Sequence, residues 1–321
     1  MNILQFILSS IRFLIRKLPV NFITTNKYVQ YNNQNANNLI YKMIKKAFNE
    51  HKGLMIAKFG TYELDTMLYF YLKNYNLSAL KEEIFGTRHI FWNEIKKHLP
   101  NTGFFPLEKS EAKKLADLYY STLDNIDVLA SYQTTEKNII PKMKNCVFVN
   151  LNGYYAPFLW NSPWTGILEN KKILVIHPFA ISIQKQYEQR DKLFNDKSVL
   201  PKFKSLTVIK AVQTIASNKS DEFNTWFEAL EYMEKQILLS DYDIALIGCG
   251  AYGLPLANFV KKQGKIAIHL AGWTQMLFGI YGERWLTDQP EFTKFINEYW
   301  IRPNNSEKPN SYNKIENGCY W

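Results

Sequence analysis

Three glycines near residue 250 stand between two apolar runs, and they constrain the fold more than any other feature of the chain. The first run, residues 244–247, is typical of a buried strand, and residues 266–270 predict a second strand. Residues 254–263 between them predict a helix that ends at the following glycine. The three glycines, at G-x-G-x-x-G spacing, are Gly248, Gly250 and Gly253. This stretch therefore predicts a strand–loop–helix–strand unit whose backbone N–H groups approach an anionic ligand at the start of a helix.

The residues after the second run narrow the choice of ligand. A dinucleotide fold places an Asp or Glu roughly 20 residues beyond its glycines, where the carboxylate holds the ribose hydroxyls. Residues 269–273 read His-Leu-Ala-Gly-Trp and contain no acid. The unit is therefore predicted to bind phosphate, and NAD is disfavoured. The alternative is that the glycines only permit a tight turn and close packing of the helix on the sheet.

The charge of the chain favours an anionic partner. Lys and Arg number 39 against 29 Asp and Glu, which gives a net charge of +10 over 321 residues. A nucleotide, a phospholipid headgroup or an acidic glycan would suit this charge, although many of the lysines fall on predicted helix faces that water would solvate. No RRM, zinc-finger or helix-turn-helix pattern is present, so nucleic acid is not expected as a partner.

The three cysteines form neither a zinc pattern nor a disulfide framework, since Cys146, Cys249 and Cys319 are far apart and odd in number. Their use favours a reducing cytosol.

Strand and helix patterns alternate along the chain. This order predicts an α/β fold with a Rossmann-like, parallel-rich sheet and helices on both faces. The further strands are predicted at residues 54–57, 128–131, 147–151, 173–176 and 206–210. One further helix is predicted to begin at Thr61, which would cap it. Others are predicted over residues 79–100, 108–125, 182–194 and 223–239, and a last one starts in residues 273–279 and ends near 281–285. The Asn/Gln-rich residues 32–38 are predicted to form a loop.

The two ends of the chain differ from its middle. Residues 1–20 place apolar side chains near helical spacing, with Arg12, Arg16 and Lys17 towards the end, and predict an amphipathic helix too short and too polar to span a membrane. It either lies in the membrane interface or packs on the domain. We expect residues 1–40 to be this helix and a linker, 41–302 the α/β domain, and 303–321 a tail docked by its terminal aromatic residues.

Several polar side chains follow predicted strands, where α/β sheets bind their ligands. Glu63 and Asp65 fall in a first helical turn, so they either stabilise the positive helix end or deliver an acid into a crevice. His177 ends a strand and would donate to phosphate, transfer a proton or serve a structural role. Arg284 would pair with phosphate or with Glu283. Four aromatic residues between two strands would stack on a sugar or base, or pack in the core: Tyr154, Tyr155, Trp160 and Trp164.

Two parts of the chain carry a family resemblance. Residues 58–63, Lys-Phe-Gly-Thr-Tyr-Glu, resemble the R-F-G-D-G-E start of the GT-D fold glycosyltransferases of bacteria. The C-terminal half resembles relatives among surface-polysaccharide biosynthesis proteins. Its matching motifs are His177-Pro178-Phe179, Gly250-Ala251-Tyr252-Gly253, Phe278-Gly279-Ile280, Gly282-Glu283-Arg284-Trp285 and Tyr299-Trp300-Ile301-Arg302-Pro303.

The resemblance implies transfer of a sugar from a nucleoside diphosphate donor, first of all a UDP-sugar, to a glycan or lipid-linked acceptor. It implies Mn²⁺ or Mg²⁺, but the family's acidic D-x-E element falls on Thr61-Tyr62-Glu63, so a hydroxyl replaces the first carboxylate. The residues expected at the site are Glu63 and His177 for catalysis, Glu63 for the metal, and Phe59, Gly60, Thr61, Gly248, Gly250, Tyr252, Gly253, His269, Gln275 and Arg284 for the nucleotide and its phosphates.

Such an enzyme would act in the cytoplasm, either free or at the inner face of the cytoplasmic membrane, which residues 1–20 would contact. Two alternatives stay open on the sequence. The glycine motif also suits an NAD(P)-dependent oxidoreductase. The replacement at Thr61 also suits a non-catalytic partner that binds a nucleotide or glycan within a polysaccharide assembly complex.

Overall fold

A computed structural model describes residues 28–71, 91–215, 220–310, 312–315 and 317–321. Its centre is a sheet of seven strands in the order β3-β2-β1-β7-β6-β4-β5. Every pair of neighbouring strands is parallel, which confirms the predicted α/β class. The strands are β1 Leu54–Ala57, β2 Val128–Ser131, β3 Val147–Asn150, β4 Lys172–His177, β5 Ser205–Lys210, β6 Ile244–Ile247 and β7 Ile266–His269.

Helices and short 3-10 turns connect the strands. The helices are α1 Asn33–Asn49, α2 Thr61–Tyr71, α3 Trp92–His98, α4 Lys109–Thr122, α5 Asn152–Tyr155, α6 Ala180–Glu188, α7 Trp226–Leu238, α8 Gly253–Lys262, α9 Trp273–Leu277 and α10 Arg284–Thr287. The predicted helix over 79–100 is described from residue 91 onward, and it contains α3 and a 3-10 turn. Residues 1–20 lie outside the described part of the chain.

Both faces of the sheet are buried, which explains why its strands read as continuous apolar runs. Met55 and Ala57 of β1 point into one core layer, which is formed with α2, α4, α7 and α8. Leu54 and Ile56 of the same strand point into the other, which is formed with α1, α6, α9 and the C-terminal segment. A parallel strand covered on both faces has no polar side chain to expose, so its pattern does not alternate.

The connections that follow the four central strands lie on opposite faces of the sheet. After β1 and β6 the chain enters α2 and α8 on the first face, whereas after β4 and β7 it enters α6 and α9 on the second. Because the four strands are neighbours in the order β1-β7-β6-β4, their connections diverge above one stretch of the sheet edge. Such divergence opens a crevice at the carboxyl ends of the strands.

Three sequence predictions about local structure are wrong. The Asn-rich residues 32–38 begin α1 instead of forming a loop, because Ala36 and Ile40 are fully buried and the Asn37 side chain accepts the Trp164 N–H. Thr61 is the first helical residue and not the cap that precedes it, since the Leu64 N–H bonds to the Gly60 carbonyl. The helix from Trp273 ends at Leu277, because Gly279 adopts a positive φ of 64°.

The C-terminal segment packs on the second face of the sheet. The Glu307 carboxylate is buried and accepts the Ile181 N–H at 2.7 Å and the Ser182 N–H at 3.2 Å, so it fills the start of α6. The Trp321 side chain is also buried. Within the described ranges, no helix combines the length and the apolar character needed to cross a membrane.

We predict that Glu307→Gln destabilises the protein by about 2 kcal/mol, because the start of α6 loses a charged acceptor that is out of contact with water. Urea unfolding followed by circular dichroism measures the change. Glu298→Gln is the matched control, since Glu298 is exposed. Equal unfolding midpoints for the two variants would show that Glu307 does not hold the segment in place.

Candidate functional site

A cavity of about 230 Å³ lies at the carboxyl ends of the four central strands. Residues that follow β1, β4, β6 and β7 all contribute to its wall, as the divergence of the connections requires. All the site residues predicted from the sequence line this cavity except Phe59 and Gly253. Those that line it are Gly60, Thr61, Glu63, His177, Gly248, Gly250, Tyr252, His269, Gln275 and Arg284.

Phe59 and Gly253 support the wall from behind. The Phe59 side chain is fully buried, and its carbonyl accepts hydrogen bonds from Tyr132 Oη at 3.0 Å and Gln133 Nε2 at 3.1 Å. A Cβ atom on Gly253 would lie 2.2 Å from His269 Nε2, so this glycine makes room for the imidazole ring. Both residues shape the site without facing its cavity.

The glycines after β6 serve close packing and also border the cavity. A Cβ on Gly248 would lie 2.3 Å from the Ala271 carbonyl oxygen. Gly250 has a φ of 57°, and a Cβ there would lie 2.4 Å from the Thr102 carbonyl oxygen. Backbone contacts of this kind support the packing interpretation of the motif. Gly248 and Gly250 nevertheless leave their backbone at the cavity wall, where an anion would meet it.

Glu63 is the only acidic side chain among the described residues that line the cavity. It is 7 % exposed, and its Oε2 would be 2.1 Å from a Cβ on Gly60, so the carboxylate lies against the bare backbone of that glycine. Burial raises the pKa of Glu63, which its own backbone N–H and Lys58 only partly offset. A carboxylate with increased proton affinity is suited to act as a general base.

His177 is held as a neutral hydrogen-bond donor. The Phe179 backbone N–H donates to His177 Nδ1 at 3.0 Å, so in the neutral ring the proton sits on Nε2. Burial lowers the pKa of His177 to about 3. A ring of such low basicity does not take up a proton near neutral pH, and the geometry favours donation to an anion over proton transfer.

His269 ends β7 and is 3 % exposed. Burial, together with the positive charge of Lys58, lowers the pKa of His269 to about 3. Within the described ranges, neither ring nitrogen has a hydrogen-bond partner of normal geometry, although the Lys58 backbone is close enough to affect the pKa. A buried, under-satisfied imidazole at a cavity wall is suited to a polar ligand.

Two cations line the cavity, and sequence reasoning singled out only Arg284. Lys58 comes directly after β1, and its pKa is raised because Tyr132, Tyr320 and Glu63 outweigh the effect of burial and of Arg284. The signal was available, since Lys58 obeys the same strand-end rule that pointed to Glu63. The lining residues therefore combine two full positive charges with one carboxylate.

The C-terminal residues form one side of the cavity, a contribution that local sequence patterns did not indicate. The Arg284 guanidinium lies 4.7 Å from the Tyr320 ring centroid and donates to Tyr320 Oη at 3.2 Å. Gln275 Nε2 donates to the Tyr320 carbonyl at 3.1 Å. Tyr320 and Trp321 both line the cavity. The tail thus orients Arg284 and Gln275 from behind.

The cavity wall offers few ligands to the Mn²⁺ or Mg²⁺ that the resemblance implies. Hard cations prefer several oxygen ligands, and the described lining supplies one acidic side chain, Glu63, beside the Thr61 hydroxyl. Among the described residues, no three His, Cys, Asp or Glu side chains come together as a metal group would. We therefore derive no chemical step through a metal.

Glu136 supports the Lys58 end of the site. It is fully buried, and its carboxylate accepts hydrogen bonds from Ser131 Oγ and from the backbone of Tyr132 and Gln133. Tyr132 and Gln133 in turn hold the carbonyl of Phe59, beside Lys58. Burial raises the pKa of Glu136 to about 7.

We predict that Gly250→Ala is more destabilising than Gly264→Ala. Both glycines have positive φ, which costs alanine about 1–2 kcal/mol, but a Cβ on Gly264 would meet nothing within 4 Å. Overlap with the Thr102 backbone should add about 1–3 kcal/mol at Gly250 only. Urea unfolding of both variants measures the difference. Equal losses would show that Gly250 is required for its φ alone.

We predict that Glu136 makes the protein less stable as the pH rises. The pKa of its carboxyl is about 7 in the folded chain, whereas the ordinary value for a glutamate is 4.5, so the unfolded chain releases the proton first. The contribution of Glu136 to the free energy of unfolding should therefore fall by up to about 3 kcal/mol between pH 4.5 and 8. Other groups, such as the buried histidines, also titrate in this range, so the loss is measured as a difference by urea titrations at both pH values. Relative to Glu136→Gln, the parent chain and the surface control Glu222→Gln should each lose this amount as the pH rises. Equal pH dependence in all three would rule out this origin.

The site has to be interpreted from its own chemistry. Comparisons with models of known families, with curated proteins and with solved structures gave no match to the chain. No relative therefore supports the resemblance to GT-D glycosyltransferases or indicates an activity.

Proposed function

We propose that the chain is a glycosyltransferase that moves a sugar from a nucleoside diphosphate donor, first of all a UDP-sugar, to a glycan or lipid-linked acceptor. The observation that carries the proposal is the meeting of Glu63, Lys58, Arg284 and the loop at Gly250 around one cavity. These groups come from distant segments of the chain, and the sheet edge brings them together.

The cavity is suited to a diphosphate because its charged groups sum to a positive value. Among the described lining residues, the basic side chains Lys58 and Arg284 outnumber the one acidic side chain, Glu63. The neutral rings of His177 and His269 add polar contacts without adding charge. Fixed donors of this kind stabilise negative charge as it develops on a leaving group.

Glycosyl transfer also requires a base for the acceptor hydroxyl, and Glu63 at the cavity wall supplies one. An acceptor hydroxyl becomes a better nucleophile when a base takes its proton, and a carboxylate with a raised pKa is a stronger base than an ordinary one. Glu63 has that environment, since burial raises its pKa more than its backbone N–H and the positive charge of Lys58 lower it. We assign it the role of base towards the acceptor.

The fold supports the proposal in part. The parallel sheet with helices on both faces is compatible with the Rossmann-like GT-D architecture that residues 58–63 suggest. An acceptor attached to a membrane lipid would suit an enzyme acting at the cytoplasmic face of a membrane and the basic, amphipathic residues 1–20. An oxidoreductase is less well supported, because Glu63 is the one acidic side chain that the described part of the chain places in the cavity wall to hold a ribose.

We predict that Glu63→Gln lowers donor turnover by about 10²–10⁴-fold while the Kd for the nucleoside diphosphate changes by less than about threefold. Turnover is measured as release of nucleoside diphosphate from a panel of donor sugars, and binding by calorimetry. Glu298→Gln serves as the surface control.

Three results would decide between the functions. Failure of every nucleoside diphosphate sugar to bind the parent chain would overturn the proposal. Binding without turnover in any acceptor mixture would favour a non-catalytic binding partner. Unchanged turnover in Glu63→Gln would remove this residue from the role of base.

A further inference from the structure

We propose that Lys58 and Arg284 neutralise the diphosphate leaving group in place of a divalent cation, so that donor binding and transfer proceed without metal. The inference rests on the proposed glycosyltransferase function and concerns the same cavity. It departs from what the family resemblance implies, and it begins from the mismatch between the cavity wall and a hard cation.

The mismatch lies in how the oxygen ligands are arranged. Mg²⁺ requires nearly octahedral oxygen ligands, and a protein usually contributes one or two carboxylates beside the substrate phosphates. Glu63 lies folded against Gly60, with its Oε2 2.1 Å from where a Cβ would be, so its position is set by the helix start. Thr61 offers only a neutral hydroxyl where the family has an acid. A cation here would find one protein carboxylate, the lower of these numbers, and would depend on the diphosphate and water for its other ligands.

The same part of the wall instead presents a lysine. Lys58 follows β1 directly and lines the cavity beside Gly60, Thr61 and Glu63. Its Nζ lies 5.7 Å from the centroid of the Tyr132 ring, and among the described residues it forms no ion pair within 4.0 Å. The ammonium group of Lys58 thus lies in the same wall as Glu63 without forming an ion pair with it. The raised pKa of Lys58 keeps it charged at neutral pH.

Arg284 supplies the second charge from another wall. It begins α10, lines the cavity and is oriented by Tyr320, whose hydroxyl it reaches at 3.2 Å. Arg284 and Lys58 line the same cavity, so both cations can act on one ligand. A planar guanidinium binds two phosphate oxygens at once, whereas an ammonium acts as a point charge. Together they offer two positive charges to a diphosphate.

The transfer step balances without a metal. The bond between the anomeric carbon and the β-phosphate oxygen breaks, and its electron pair leaves with that oxygen. The acceptor oxygen forms the new bond to the same carbon, and its proton passes to Glu63. The nucleoside diphosphate gains one negative charge, which Lys58 and Arg284 are placed to stabilise.

The test compares the full-length chain with its Lys58→Met variant, each in excess EDTA and in Mn²⁺. Calorimetry with UDP measures binding, and release of nucleoside diphosphate measures turnover. We expect EDTA to change the Kd of the parent chain by less than about twofold. We expect Lys58→Met to weaken UDP binding by about 10–100-fold in both buffers, because one charge-assisted contact is lost. Lys58→Arg should recover part of this loss.

Lys144→Met is the matched control, since Lys144 is exposed and does not line the cavity. Urea unfolding of Lys58→Met should confirm that the variant folds. Binding that disappears in EDTA, returns with Mn²⁺ and is unaffected by Lys58→Met would overturn the inference and leave the proposed function intact. Failure of UDP and of every donor sugar to bind in any buffer would overturn the proposed function itself.

Discussion

The structure depends on the burial of a parallel sheet on both of its faces. The five inner strands have no polar face and need helices above and below. The chain must therefore leave some strands towards one face of the sheet and others towards the opposite face. In this protein β1 and β6 lead to one face and β4 and β7 to the other. The crevice between them is a consequence of that covering. It exists wherever the connections part, whatever side chains line it.

Several ionisable side chains at this crevice are buried, which lowers the stability of the fold and points to a functional role. Glu63 and His177 are almost completely buried, and the pKa of each moves in the direction that burial imposes, up for the acid and down for the imidazole. Burial acts to lower the pKa of Lys58, but two tyrosines and Glu63 outweigh it and the pKa is raised. A stable core would use apolar residues at such positions. Charged and polar groups that share one cavity at a loss of stability are typical of a functional site.

Much of the fold could be predicted from the sequence, because burial on both faces leaves a clear local signal. The strand at 244–247 and the strand at 54–57 have the predicted bounds, since each is a short apolar run. Residues 32–38 were predicted wrongly because helix α1 is held by contacts with residues 150 to 164, which no local pattern reveals. Many candidate site residues follow from the rule that ligands bind at strand ends. The glycine motif does not show that Gly250 borders the cavity whereas Gly253 only makes room for His269. That difference depends on three-dimensional packing.

The C-terminal tail is the part of the site that the sequence did not predict, because its role depends on contacts between distant segments. A Cβ on Gly272 would lie 2.4 Å from the Tyr320 ring, and one on Gly282 would lie 2.3 Å from the Tyr320 carbonyl carbon. Two glycines in different loops therefore provide the space in which the last residues sit. Tyr320 in turn contacts Arg284 and Gln275, both of which face the cavity. Since the guanidinium is oriented by a residue 36 positions later in the chain, the cavity wall at Arg284 is complete only when the tail has docked. The folding of the last residues and the assembly of the site are thus one event.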